Sequence, residues 1–109
     1  MASGSIKAAQ TTGSATRRAS GSGELSWVKC GSVVTVAGTI ELSATTSHGT
    51  ELFSGLPSPK VDYVPLPVHN STTGYHFSSF LRNTGSLRNS EQWASGSLFR
   101  ISGSYVAAD

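Results

Sequence analysis

The sequence has little charge, one cysteine and no long apolar run. Only 14 of its 109 residues are Asp, Glu, Lys or Arg, and the eight basic residues are scattered, so a nucleic-acid-binding stripe is not expected. The single cysteine, Cys30, excludes an intramolecular disulfide and a cysteine-based zinc site within one chain, and we expect its thiol to be buried. Because no 18 apolar residues occur in a row and the N-terminus has no signal-peptide pattern, we expect no membrane insertion and no export.

Helix signals are also missing, and strand signals replace them. No segment combines a helix cap with an apolar period of 3.6 residues. Apolar residues instead recur at every second position in 34–44 and again in 97–107. The triplet Asn83-Thr84-Gly85 predicts a tight hairpin, because Asn and Gly tolerate positive φ. The pattern predicts an all-β fold, an antiparallel β-sandwich or jelly-roll-like domain.

Two further segments are predicted to be extended. Residues 51–54 read as a short strand that ends at the prolines of 55–59. Residues 61–68 contain Pro65 and Pro67, which cannot donate to a strand ladder, so either an edge strand or a polyproline-like segment is predicted there.

The composition changes near Gly23. Residues 1–23 contain 17 Ser, Thr, Gly or Ala and cannot form a core of their own. We therefore predict an N-terminal arm over 1–23 and a β domain over 24–109. Side chains expected to attach the arm to a neighbouring protein are Ile6, Lys7, Arg17 and Arg18.

Residues suited to catalysis or metal binding do not form a pattern. His48, His69 and His76 lack the short spacings of a metal site, and no Gly-x-Ser-x-Gly turn joins a strand to a helix. No two of the six acidic residues stand out as a glycosidase pair. We expect no enzyme activity, no metal and no cofactor.

Binding features remain. Most aromatic side chains at strand spacing are expected in the core, whereas Trp93 in the loop 90–96 is predicted to contact a receptor or partner. The other predicted contact residues are His69, Asn70 and Tyr75. Because 37% apolar residues predict a thin core for an isolated chain, we expect a homotrimer. Its predicted interface uses the apolar face of the 34–44 strand or that of the 99–105 strand, and the candidate residues are Val34, Val36, Ile40, Leu42, Phe99, Ile101 and Tyr105.

One ordered set of motifs resembles a known group of proteins. The motifs are Gly31-x-Val33, Gly55-Leu56-Pro57-x-Pro59, the hairpin Leu81-Arg82-Asn83-Thr84-Gly85-Ser86-Leu87, and Phe99-x-Ile101-x-Gly103-x-Tyr105-x-Ala107. In this order, from about residue 27 to 107, they resemble the C-terminal β domains of phage tail and baseplate proteins.

The resemblance implies a trimeric virion protein, of tail-fibre-tip or receptor-binding type, that is assembled in the host cytoplasm. Its implied partners are other virion proteins of the tail, baseplate or capsid, and a host cell-surface glycan or protein. A Ser/Gly-rich arm stands where such domains follow a shaft, so a capsid decoration or head-fibre protein is an alternative. A free lectin-like carbohydrate-binding module is a second alternative from a different class.

Overall fold

The computed structural model describes residues 10–108, and these form nine β-strands. The strands are β1 (Gln10–Ser14), β2 (Thr16–Arg17), β3 (Gly21–Cys30), β4 (Val33–Leu42), β5 (Glu51–Ser54), β6 (Val64–Asn70), β7 (His76–Leu81), β8 (Leu87–Asn89) and β9 (Leu98–Val106). Within these residues there is no helix, and hence none with the length and apolar character needed to traverse a bilayer.

The strands form one sheet in the order β1-β3-β4-β9-β6-β7-β8-β5-β2, and every neighbouring pair is antiparallel. The end strands β1 and β2 are separated in the chain by Ala15 alone. The sheet is therefore nearly closed, with the segment 10–17 lying between its two edges. The predicted all-β antiparallel fold is confirmed, and its two packed faces are opposite parts of one curled sheet.

Part of the predicted arm belongs to this sheet. Residues 10–14 pair with β3 over its last five positions, and Thr16 pairs with Ser54 of β5. The proposed boundary at Gly23 falls inside β3, which runs from Gly21. The arm prediction is thus wrong for residues 10–23, because backbone pairing with distant strands orders a segment whose own side chains are too small to do so. Residues 1–9, with Ile6 and Lys7, lie outside the described residues.

A single hydrophobic core fills the interior of the curled sheet. It contains all seven residues predicted to form the trimer interface, each with 6% or less of its surface exposed. Those residues point inward and cannot contact another copy in this fold, so that interface prediction is wrong. The physical reason is that the sheet curls until its apolar face packs on itself, which removes the need for a partner to cover it.

Strands β4 and β9 follow the predicted alternation of buried and exposed residues. In β4, Val34, Val36, Ile40 and Leu42 are buried, and the residues between them are more exposed. In β9, Phe99, Ile101 and Tyr105 occupy the inner face. The predicted hairpin is also confirmed, since β7 pairs with β8 and the turn closes through the Arg82 N–H donating to Ser86 O at 2.9 Å.

Two smaller predictions are wrong. Strand β6 is not at an edge, because it lies between β9 and β7; its two prolines are accommodated because pairing with β9 is confined to Val68–Asn70. Cys30 is exposed rather than buried, since it ends β3 on the outer face beside Val33.

The phenol of Tyr105 gives a testable signature of this packing. Its hydroxyl donates to Pro57 O at 2.7 Å, and burial raises the pKa of Tyr105 to about 12. Between about pH 10 and pH 12 the folded chain therefore keeps this proton while the unfolded chain loses it. The contribution of Tyr105 to the free energy of unfolding is fully present below about pH 10 and declines as the pH rises towards 12. We expect that decline to be shallower in Tyr105→Phe, as measured by urea unfolding at several alkaline pH values. Equal slopes in the two proteins would contradict this.

Candidate ligand-binding groove

Phe80 lies on the outer face of the sheet, opposite the core. Its neighbours along β7, Ser79 and Leu81, point inward with their partners on β6, and Phe80 pairs with Pro65 on the other face. Phe80 is nevertheless only 6% exposed, although it does not belong to the core cluster. Something on the outside of the sheet must cover it.

The covering group is Tyr63. Its ring stacks on the Phe80 ring with centroids 4.5 Å apart and an interplanar angle of 4°. Tyr63 has a φ of 72°, the only positive φ of a non-glycine residue within 10–108. A bulky residue in this region is strained, and such strain concentrates at functional sites. More than half of Tyr63, 56%, remains exposed, so it offers an aromatic surface to solvent.

An ion pair between Arg82 and Asp62 joins the loop that carries Tyr63 to the turn between β7 and β8. Arg82 donates from Nε to Asp62 Oδ1 at 3.1 Å and from Nη2 to Oδ2 at 3.2 Å, and the Asn83 N–H donates to Oδ1 at 2.9 Å. The Arg82 guanidinium also lies 5.2 Å from the Tyr63 ring centroid. Hydrogen bonds from Arg82 and Asn83 lower the pKa of Asp62 below its usual value, so the carboxylate stays charged. These contacts fix the 61–63 loop against the β7–β8 turn.

Beside the aromatic pair is an open groove of about 430 Å³. It is lined by His48, Gly49, Tyr63, Phe80, Arg82, Asn83, Thr84 and Arg88. Arg88 is the outer-face partner of Phe80 on β8 and donates from Nη1 to Gly49 O at 2.8 Å. A second groove, of about 300 Å³ around Arg18 and Thr46, has no aromatic lining and therefore no stacking surface.

Of the four predicted contact residues, two are buried in the structure and two are exposed. Trp93 is wrong as a surface contact, because it is 0% exposed and stacks on Phe99 with centroids 4.3 Å apart. Its loop folds back and pairs with Thr46 in both directions, at 2.8 and 2.9 Å, which directs the indole into the core. Asn70 is wrong for a similar reason: it is buried, and its side-chain oxygen accepts from the N–H groups of Thr72 and Thr73.

His69 and Tyr75 remain predicted contacts, since both are exposed. His69 faces His76 across β6 and β7 with ring centroids 5.2 Å apart, while His48 lies in the groove instead. Within residues 10–108 no three metal-ligating side chains come together. Arg17 and Arg18 are exposed next to β5, where Arg18 Nε donates to Ser54 Oγ at 2.8 Å.

Sequence reasoning missed most of the groove. One signal was available, because Phe80 is out of phase with the inward residues Phe77 and Leu81 of the same strand. The meeting of Asp62, Tyr63 and Arg82 had no local signal, since it depends on the path of the loop before β6. No family model matches this chain, and no curated protein sequence matches it. What is established is an all-β antiparallel chain with an aromatic and arginine groove on its outer face.

Proposed function

We propose that this protein is a non-enzymatic recognition module that binds a cell-surface saccharide in the groove beside Tyr63. The observation that carries this proposal is the Tyr63–Phe80 stack on the outside of the sheet. Aromatic rings outside the core that remain exposed are a common means of binding ligands with one apolar face, and a sugar ring has such a face. Because the ring is held by a stacked neighbour and by a fixed loop, little conformational entropy is lost when a ligand binds.

The wider setting proposed for the module is a virion. This part of the proposal rests on the motif order that resembles phage tail and baseplate domains. It includes a trimeric state and assembly in the host cytoplasm. A trimer would have to use outer-face residues, because the inner faces of β4 and β9 are taken up by the core. The groove favours a receptor-binding type of module over a capsid decoration or head-fibre protein, because passive decoration has no need of a rigid, exposed aromatic surface. A free lectin-like module would use the same groove.

The test compares two tyrosines. We expect the purified protein to bind at least one member of a printed array of bacterial surface glycans, and Tyr63→Ala to weaken that binding about tenfold or more, the equivalent of about 1.4 kcal/mol. Tyr75→Ala is the matched control, since Tyr75 is 70% exposed and lies at the other end of β7. Its affinity should change less than about twofold, or about 0.4 kcal/mol.

Two results would overturn the proposal. The first is the absence of binding to any glycan by the folded wild-type protein. The second is loss of binding in Tyr75→Ala with normal binding in Tyr63→Ala, which would move recognition to the surface around His69 and Tyr75.

A further inference from the structure

The charged side chains that line the groove, Arg82 and Arg88, are guanidinium groups, which only donate hydrogen bonds, and no free carboxylate among the described residues lines the groove with them. Its one neighbouring carboxylate, Asp62, already accepts three hydrogen bonds from Arg82 and Asn83. The side chains of His48, Asn83 and Thr84 also line the groove and make no hydrogen bond to other residues within 10–108, but each of them can both donate and accept, so the preference for acceptors comes from the guanidinium groups. A ligand that supplies acceptors would complement this surface better than one that supplies donors.

Arg88 adds a positive charge to the same place. One of its guanidinium nitrogens is bound to Gly49 O, and the other N–H groups have no acceptor within the described residues. The only ion pair among those residues joins Asp62 and Arg82, so Arg88 is not paired, although Glu51 is its neighbour on β5. Glu51 does not line the groove. Since Asp62 neutralises Arg82, Arg88 is the one charged side chain among those lining the groove that has no ion-pair partner within residues 10–108.

We infer that the saccharide bound in the groove is anionic, with a carboxylate or phosphate on or next to the ring that stacks on Tyr63. The inference rests on the proposed function and names the ligand class for the same site. Arg88 forms charge-assisted hydrogen bonds to the anionic group, because a guanidinium presents paired donors that match a carboxylate or a phosphate. Asn83 and Thr84 donate to hydroxyl oxygens, and Tyr63 covers the apolar face of the ring.

The experiment uses probes that differ only in charge. Titration calorimetry on the full chain would compare trigalacturonic acid with its methyl ester, and mannose 6-phosphate with mannose. We expect the charged member of at least one pair to bind about tenfold more tightly, and which pair responds distinguishes a carboxylate from a phosphate source. The preference should shrink as salt is raised from about 50 to about 200 mM, because a partly exposed ion pair is screened.

Arginine variants test which residue supplies the positive charge that the ligand contacts. Arg88→Gln should remove the preference for the charged probe, Arg88→Lys should retain part of it, and Arg100→Gln should leave it unchanged, because Arg100 is exposed elsewhere and bonded to Ser71. Thermal melting of each variant checks that it is folded. Equal affinity for charged and neutral probes, both lost in Tyr63→Ala, would overturn the inference while the proposed function stands. A protein that binds neither these probes nor any array glycan would overturn both.

Discussion

Replacing Trp93 with alanine should lower the free energy of unfolding by about 3 to 5 kcal/mol, the range for deleting a large buried aromatic side chain. The indole is fully buried, stacks on Phe99 and meets the edge of Phe77 at 6.2 Å between centroids. Its removal would leave a cavity beside Phe77 and Phe99, and the backbone pairing of residue 93 with Thr46 would hinder the collapse of that cavity. Urea unfolding followed by circular dichroism measures the change.

Tyr75→Ala is the matched control for this result. Tyr75 is an exposed aromatic residue, so its removal should change stability by no more than about 0.5 kcal/mol. A loss below about 1 kcal/mol in Trp93→Ala would contradict the buried position and return Trp93 to the surface. If Trp93→Ala does not fold at all, Trp93→Phe, which keeps part of the volume, should fold with intermediate stability.

The second large effect is expected from Gly38→Ala. A Cβ atom at this position would lie 2.0 Å from Glu24 O and 2.6 Å from the Leu25 Cα of the paired strand β3. These are backbone atoms, so the two strands would have to separate at the middle of the longest hairpin. We expect a loss of about 3 kcal/mol, at the upper end for overpacking, or failure to fold.

A neighbouring substitution separates this steric effect from a general sensitivity of β4. Ala37 is exposed on the outer face of the same strand, and Ala37→Ser should change the free energy of unfolding by less than about 0.5 kcal/mol. Chemical denaturation of both variants tests the pair. Gly38→Ala with wild-type stability would show that β3 and β4 do not approach as closely as described.

The sequence was informative where structure depends on local alternation. The period of two in β4 and β9 identifies their inner residues without reference to the rest of the chain, and the Asn83-Thr84-Gly85 turn is specified by residues that accept its geometry. What the alternation cannot say is what covers an apolar face. The same pattern fits a trimer interface or a sheet that curls on itself, and the second was found.

The failures involve contacts between residues far apart in the chain. Thr16 pairs with Ser54, and Thr46 pairs with Trp93, and neither partner is marked by its own neighbours in sequence. In the sequence, Trp93 lies in a polar loop and is marked as a surface residue. The direction of its side chain depends instead on pairing with a residue 47 positions away. The groove could not be predicted for the same reason, since the contact between Asp62 and Arg82 depends on the packing of the β7–β8 hairpin beside the 61–63 loop.

The segment 10–17 has a consequence for how copies of this chain interact during folding. Until it docks, β3 and β5 each present an edge of unpaired N–H and C=O groups, and such edges accept strands from any source. The hydrogen bonds that the segment makes to its own sheet are chemically identical to those it would make to the sheet of a second copy. Concentration therefore governs the outcome, with intramolecular closure favoured at high dilution and reciprocal exchange of the segment favoured in crowded refolding.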